Sequence, residues 1–118
     1  MPVPQPVSEM IAAAQLLINQ VSVHEAAELQ RLDAAILIDL RDVRELQKMG
    51  VVPRAFHAPR GMLEFWADPD SPYHKPVFRT EKKLVMLCAS GLRSALAVRT
   101  LQEMWMENVL DMEGGFTK

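Results

Sequence analysis

The sequence predicts an α/β fold in which a parallel, doubly wound sheet carries helices on both faces. Two runs, "AAILIDL" (34–40) and "LVML" (84–87), are continuously apolar, which is the pattern of a strand buried on both faces. A segment with helical periodicity follows each run, at 41–50 and at 94–105. Because strands that alternate with helices form parallel sheets, and because 118 residues suffice for one core, we expect a single domain of this class.

The helices and the last strand can be placed from capping residues and periodicity. A first helix is predicted over "SEMIAAAQLLI", with Ser8 as its N-cap. Ser22 and Glu25 stand at capping-box spacing, so a second helix should begin there. Gly50 is expected to end the helix after the first apolar run, and "NVLDMEGG" (108–115) predicts a final strand with a glycine turn. The apolar stripe of the first helix comprises Met10, Ala14, Leu17 and Ile18.

Two segments lack a regular pattern. The start "MPVPQP" is rich in proline, from which we expect a flexible tail over 1–7 and the folded domain over 8–118. The stretch 59–78 contains four prolines and predicts a long loop with one helical turn at 61–66. Because this loop also contains several aromatic residues, we expect it to pack against the domain.

Composition and charge exclude several classes of function. The formal net charge is −2 and the basic residues are scattered, which argues against nucleic acid or an anionic membrane as the partner. The N-terminus has neither the charge pattern of a signal peptide nor the length of a membrane span. A single cysteine forms no internal disulfide, which favours the cytoplasm. No metal site is expected, since no ligands stand at suitable spacing around His24, His57 and His74.

Asp39 and Cys88 stand at the carboxyl ends of the two predicted strands, where parallel sheets bind ligands. Cys88 is either a small buried apolar residue or a nucleophile. The segment after it, "ASGLR", has little side-chain bulk, so its N–H groups can turn inward. Such N–H groups at a helix N-terminus stabilise a thiolate, and an arginine at the rim could bind an anionic substrate. The candidate binding residues are Ala89, Ser90, Gly91, Leu92 and Arg93.

Two chemistries use a cysteine in a loop of this kind, namely phosphate-ester hydrolysis and sulfur transfer. The loop of cysteine phosphatases has one more residue between its cysteine and its arginine, so Ser94 stands where that arginine would be. A shorter loop should fit the one added sulfur atom of a persulfide better than a tetrahedral phosphate. The spacing therefore favours sulfur transfer over a phosphatase or an arsenate-reducing enzyme.

Four motifs, in the correct order, resemble the rhodanese-like (thiosulfate sulfurtransferase) family over most of the chain. "CASGLRS" resembles the active-site loop, and "LIDLRDVREL" resembles the apolar strand that ends in Asp-x-Arg. "GVVPRAFHAP" resembles the glycine and proline motif that follows, and "NVLDMEGGF" resembles the last strand and turn. The insert at 59–78 is similar to that of bacterial single-domain members. The resemblance implies a five-stranded parallel sheet with helices on both faces.

The resemblance also implies an activity. Cys88 would take the outer sulfur of thiosulfate or a similar donor as a persulfide, which the amides of residues 89–93 would stabilise, and would pass it to cyanide or a protein thiol. Arg93 would bind the anionic donor. Because the sulfur is carried covalently, no metal or organic cofactor is implied. The alternative is a persulfide-carrier or protein-binding module with little turnover of small molecules.

Further predictions concern residues around the site and two departures from the family pattern. Asp39 is either a structural acid that pairs with Arg41 or caps the next helix, or it acts in the site directly. Arg60 either contacts the anion or is solvated. Trp105 replaces the family's glycine after the long helix, so that helix should end differently or continue to Asn108. The chain also ends before the family's C-terminal closing helix. We therefore expect an open apolar face that favours dimerisation, a domain swap or marginal stability.

Overall fold

Five parallel strands form one sheet within residues 4–117, the part of the chain that the computed structural model describes. In chain order they are β1 (Gln20–Val21), β2 (Ala35–Asp39), β3 (Phe56–His57), β4 (Lys83–Leu87) and β5 (Val109–Met112). They lie in the order β1-β5-β4-β2-β3. Both apolar runs of the sequence form interior strands, and the predicted parallel α/β architecture is confirmed.

Five α-helices connect and cover the strands within residues 4–117. They are α1 (Val7–Leu17), α2 (Val23–Arg31), α3 (Val43–Met49), α4 (Leu63–Ala67) and α5 (Leu92–Glu103). The helical turn expected at 61–66 is present as the 3₁₀-helix Arg60–Met62, which runs into α4. A second 3₁₀-helix, Pro76–Phe78, lies at the end of the long loop. No helix in the described range is long and apolar enough to cross a membrane.

The sheet is buried on both faces because its side chains alternate between them. Ile38 and Met86 pack on one face with residues of α4 and α5. Leu37 and Val85 pack on the opposite face with α2 and with the ring of Phe116. The expectation of an open apolar face is wrong for the described residues, because Leu37 and Val85 are only 3% and 0% exposed beneath this cover.

Helix α1 begins one residue earlier than predicted. Pro6 occupies the N-cap position, and its carbonyl accepts a hydrogen bond of 3.0 Å from the N–H of Glu9. Ser8 therefore lies inside the first turn, and the prediction that it caps the helix is wrong. Val7, which was assigned to the tail, is helical, while residues 1–3 lie outside the described part of the chain.

The predicted apolar stripe of α1 is only half buried. Ala14 and Ile18 are buried, whereas Met10 and Leu17 are 44% and 59% exposed. Helix α1 packs chiefly against α5 rather than into a groove between several elements. Only the side chains along that one line of contact are therefore covered.

Two capping boxes set the starts of α2 and α3. The N–H of Glu25 donates to Ser22 Oγ at 3.0 Å and the N–H of Ser22 donates to Glu25 Oε1 at 2.9 Å, which confirms the predicted start of α2. Asp42 and Glu45 form the same arrangement at the start of α3. Gly50 ends α3 with φ of 90°, as predicted. The start of each helix is thus set by hydrogen bonds between side chains and backbone within its first turn.

Trp105 follows α5 in the left-handed conformation, with φ of 67°. Its N–H donates to the carbonyl of Gln102 at 2.9 Å, and the N–H of Met106 donates to the carbonyl of Leu101 at 3.1 Å. These two bonds define a Schellman motif, in which glycine usually occupies the left-handed position. The expectation that the helix ends differently or continues to Asn108 is therefore wrong, because a tryptophan adopts the glycine conformation.

Replacing Trp105 with glycine should stabilise the protein. A left-handed residue with a Cβ costs about 1–2 kcal/mol. The greater freedom of glycine in the unfolded chain offsets about 0.4–1 kcal/mol of that gain. Since Trp105 is 91% exposed, few contacts are lost. We expect Trp105→Gly to gain up to about 1 kcal/mol in urea unfolding followed by circular dichroism. Trp105→Ala keeps the Cβ, so an equal gain in that variant would contradict left-handed strain as the cause.

Candidate active site

Cys88 directly follows β4 at the carboxyl edge of the sheet. Leu84 and Met86 of β4 face the core beneath α5, and the alternation of the strand places Cys88 on the same face. The residue is 0% exposed. Its thiol is therefore held between the end of the strand and the first turn of α5.

Two backbone N–H groups and one hydroxyl surround the sulfur atom. The N–H of Gly91 donates to Cys88 Sγ at 3.2 Å, and the N–H of Ser94 donates to it at 3.4 Å. The Ser94 hydroxyl oxygen lies 3.5 Å from the same sulfur. The thiol itself donates to that hydroxyl oxygen. The two N–H groups favour a thiolate or a persulfide anion, because hydrogen bonds to an ionised acceptor are stronger than bonds to a neutral one.

The loop of residues 88–94, called the Cys88 loop below, differs in detail from the predicted arrangement. Gly91 is the N-cap residue of α5, with φ of 90°, and its N–H points toward the sulfur. Ser94 was not among the predicted binding residues, although it stands directly after Arg93 and its hydroxyl was the available signal. Ser90 and Leu92 are exposed, and Ala89 is half-buried.

The turn after β5, residues 113–117, holds the Cys88 loop from behind. The carbonyl of Cys88 accepts a hydrogen bond from the N–H of Phe116 at 2.7 Å. The carbonyl of Ala89 accepts from both the N–H of Thr117, at 3.0 Å, and its hydroxyl, at 2.8 Å. These three hydrogen bonds fix the backbone at the start of the Cys88 loop. Sequence reasoning identified the glycine turn but not this contact.

Arg93 lies beside the sulfur but is paired with Glu45. Its guanidinium donates two hydrogen bonds to the Glu45 carboxylate, at 2.7 and 2.9 Å. These bonds, followed by a hydrogen bond from the backbone of Asp42, lower the pKa of Glu45 to about 2. The pKa of Arg93 is raised, mainly by Glu45 and to a lesser degree by Cys88. The Arg93 side chain is 43% exposed to solvent.

Asp39 and Arg41 form a buried pair on the opposite face of the sheet. Arg41 Nη2 donates to Asp39 Oδ2 at 2.7 Å, and the exposed fractions of the side chains are 0% and 3%. The same Nη2 donates to the carbonyl of Gly50 at 3.0 Å, and the guanidinium lies 4.0 Å from the ring centre of Phe116. Of the alternatives for Asp39, the structure shows the ion pair. The pair therefore contacts Phe116, whose N–H donates to the Cys88 carbonyl.

Arg60 and His57 have partners away from the sulfur. Arg60 donates to Glu64 at 2.8 Å and to the Thr100 hydroxyl at 3.4 Å, and it lines a groove of about 300 Å³ between α1 and α5. The structure does not bring Arg60 to the Cys88 loop. The ring nitrogen Nε2 of His57 lies 2.6 Å from the carbonyl of Arg41, so it donates its proton there.

Comparison with known proteins gives one family and several similar structures. The model of the rhodanese-like domain matches residues 22–118. One similar structure comes from Rhodopseudomonas palustris and is described as a protein of unknown function and possible tyrosine phosphatase. It is 41% identical to this chain, with a TM-score of 0.93, and the match covers 99% of this chain and 90% of that chain. A rhodanese-related protein from Thermoplasma volcanium is 25% identical with a TM-score of 0.64, over 84% of this chain and 87% of its own.

A human single-domain sulfurtransferase shares the fold, at 24% identity and a TM-score of 0.66, over 82% of this chain and 90% of its own. Comparison with curated proteins gives no significant match.

Proposed function

The chain belongs to the rhodanese-like domain family, and we propose on this basis that it is a sulfurtransferase that carries a sulfane sulfur on Cys88. The main support for the proposal is that the N–H groups of Gly91 and Ser94 both donate hydrogen bonds to Cys88 Sγ. These donors suit a sulfur anion that forms and disappears during the reaction. A bacterial cytoplasm, whose reducing conditions keep Cys88 as a thiol, is the proposed compartment.

The first half-reaction loads the cysteine. The Cys88 thiolate attacks the outer sulfur of an anionic donor such as thiosulfate, the sulfur–sulfur bond of the donor breaks, and sulfite leaves with the bonding electron pair. Arg93, five residues after Cys88 in the Cys88 loop, binds the anionic end of the donor. For this role the Arg93 guanidinium must donate hydrogen bonds to both the Glu45 carboxylate and the substrate. Since Cys88 is fully buried, the Cys88 loop must also open locally for the donor to reach it.

The second half-reaction unloads the cysteine. A thiophilic acceptor, either cyanide or the thiolate of a partner protein, attacks the terminal sulfur of the persulfide. The new bond forms as the persulfide bond breaks, and the electron pair of that bond returns to Cys88 as thiolate. The reaction needs no metal or organic cofactor, because the sulfur atom is bound covalently at every stage. The alternative is a persulfide carrier in which only a protein partner triggers this second step.

A phosphatase is the competing enzyme class, since a similar structure from Rhodopseudomonas palustris is described as a possible tyrosine phosphatase. The Cys88 loop argues against that activity here. Its two amides, at 3.2 and 3.4 Å from Sγ, stabilise the thiolate that either reaction needs, so they do not distinguish the two classes. The loop, however, is shorter than the phosphatase loop by one residue. We therefore favour sulfur transfer.

Intact mass spectrometry after treatment with thiosulfate tests the proposal. We expect the protein to gain the mass of one sulfur atom, to lose it on addition of cyanide, and to show no gain in the folded Cys88→Ala variant. Hydrolysis of an aryl phosphate is measured on the same samples. Phosphate release without a sulfur adduct would replace the proposal with a phosphatase, and an adduct that cyanide does not remove would favour the carrier.

A further inference from the structure

The guanidinium of Arg93, which the proposed mechanism assigns to the sulfur donor, is already bound to a carboxylate. Its Nη1 and Nη2 donate to the two oxygens of Glu45, at 2.7 and 2.9 Å. This end-on ion pair uses one N–H of each terminal nitrogen and leaves the Nε edge of the guanidinium outside the pair. A donor anion can therefore bind at that edge, but only beside a carboxylate that repels it.

Glu45 is fixed in this position by a second contact. Its Oε1 also accepts a hydrogen bond of 3.0 Å from the N–H of Asp42, which is part of the capping box at the start of α3. Chiefly because of the bonds from Arg93, the pKa of Glu45 is lowered to about 2, so the carboxylate keeps its charge at neutral pH. The negative charge beside Arg93 is thus a permanent feature of the site.

The other charges around Glu45 are nearly balanced. The cleft beside α3 is lined by Asp42, Arg44, Glu45, Lys48 and Met49. Asp42 pairs with Arg44 at 3.0 Å, and Glu45 pairs with Arg93. Lys48 is the remaining cation, and it has no ion-pair partner within residues 4–117. Arg93 and its surroundings therefore offer a single net positive charge, which suits a singly charged anion better than a doubly charged one.

The ion pair lies at the loop that contains the reactive sulfur. Arg93 directly precedes Ser94, whose N–H donates to Cys88 Sγ at 3.4 Å. Glu45 comes from α3, which follows β2, and thus joins this loop from a different part of the chain. The charge of Glu45 therefore acts on any anion that Arg93 binds for attack by Cys88.

We propose that Glu45 determines the charge selectivity of the site, because its carboxylate lowers the affinity of Arg93 for every donor anion and lowers it most for a doubly charged one. The inference rests on the proposed sulfur transfer and identifies the donor class as a sulfane-sulfur anion of single charge, such as a thiosulfonate. The Cys88 thiolate attacks the outer sulfur of this donor, the sulfur–sulfur bond breaks, and a sulfinate leaves with the bonding electron pair. Thiosulfate, with two charges, meets about twice the repulsion from Glu45, since the Coulomb energy is proportional to charge.

The test compares donors of different charge in the folded Glu45→Gln variant. Glutamine keeps the oxygen that caps α3, while an NH2 group, which accepts no bond from Arg93, replaces the other oxygen. Intact mass spectrometry gives the donor concentration at which formation of the Cys88 persulfide is half-saturated. We expect Glu45→Gln to lower this concentration about tenfold for thiosulfate and about threefold for the singly charged methanethiosulfonate.

Glu28→Gln is the matched control. It removes the same charge from an exposed pair with Arg31 on α2, so both half-saturating concentrations should change by less than about twofold. An equal change for the two donors in Glu45→Gln, or a rise for either, would overturn the proposal. Either result would mean that Glu45 serves only to hold the Cys88 loop to α3, because a structural role does not depend on the charge of the donor.

A binding measurement separates this inference from the proposed function. Calorimetric titration of the folded Cys88→Ala variant with each donor, with and without Glu45→Gln, needs no sulfur transfer. We expect the same charge-dependent gain in affinity there, and equal affinities with and without Glu45→Gln would contradict the inference. If the original protein forms no persulfide with either donor, the proposed function fails, while the calorimetric result still decides whether Glu45 sets the charge selectivity.

Discussion

Adding one methyl group at Gly115 should both destabilise the protein and disturb Cys88. A Cβ at this position would lie 2.7 Å from the carbonyl oxygen of Ala89 and closer still to that of Cys88. Both atoms are backbone and cannot move aside as a flexible side chain would. Gly115 also has φ of 66°, which side chains disfavour. The turn and the Cys88 loop therefore have to separate.

We expect Gly115→Ala to reduce the free energy of unfolding by about 2–5 kcal/mol, with about 1–2 kcal/mol from left-handed strain and about 1–3 kcal/mol from overpacking. Urea unfolding gives this number, and the rate of Cys88 alkylation at fixed pH reports on the loop in the fraction that remains folded. We expect that rate to change, because the hydrogen bond from Phe116 to the Cys88 carbonyl is displaced.

Alanine substitutions at two other glycines separate left-handed strain from overpacking as causes of the lost stability. Gly50 has φ of 90° with no atom within 4 Å of an added Cβ, so Gly50→Ala reports strain alone. Gly61 has open space and no positive φ, so Gly61→Ala should alter neither stability nor alkylation by much. If Gly115→Ala behaved like Gly61→Ala, the turn would not hold the loop as the structure indicates.

Removing the negative charge of Asp39 is the second change with a large expected effect. Asp39→Asn preserves the shape of the side chain but leaves the guanidinium of Arg41, which is 0% exposed, without its counter-ion. Breaking a buried ion pair on one side costs about 3–5 kcal/mol, since the remaining charge is neither hydrated nor neutralised. We expect a loss of this size in urea unfolding. The Arg41 contact with Phe116 should also loosen, and with it the turn behind Cys88.

A double variant and an exposed pair are the controls. Combining Asp39→Asn with Arg41→Met removes the unpaired charge, so it should be more stable than Asp39→Asn alone. Glu28→Ala removes a carboxylate from the exposed pair with Arg31, and we expect its unfolding midpoint to stay nearly unchanged. Losses that simply add in the double variant would show that the charge pair is not the source of the effect.

Much of the fold follows from short stretches of sequence. The runs that form β2 and β4 were predicted within one residue, because a continuous apolar stretch suits only a position covered on both faces. The capping box of Ser22 and Glu25 marked the start of α2 correctly, since its two hydrogen bonds lie within one turn. Ser8 was assigned wrongly because Pro6 two residues earlier competes for the same role.

The contacts of the site could be predicted less well. Arg93 was expected to bind an anion from the solvent, but it meets Glu45, which is 48 positions away in the chain. Asp39 was expected near the ligand or paired with Arg41, and the alternation of β2 places it on the face opposite to Cys88. Each outcome depends on which face of the sheet a residue occupies, and on which loop follows the neighbouring strand.

The sequence by itself determined the class of fold, the position of Cys88 at the end of an interior strand, and the short loop that favours a persulfide over a phosphate. These properties are local, because hydrophobic periodicity, capping and loop length depend on residues within a few positions of one another. Only the tertiary structure decided that Ser94 reaches the sulfur, and that the turn at Gly115 and Phe116 packs directly against the Cys88 carbonyl. The register of β4 against β5 brings these groups together, and no spacing within one segment encodes that register.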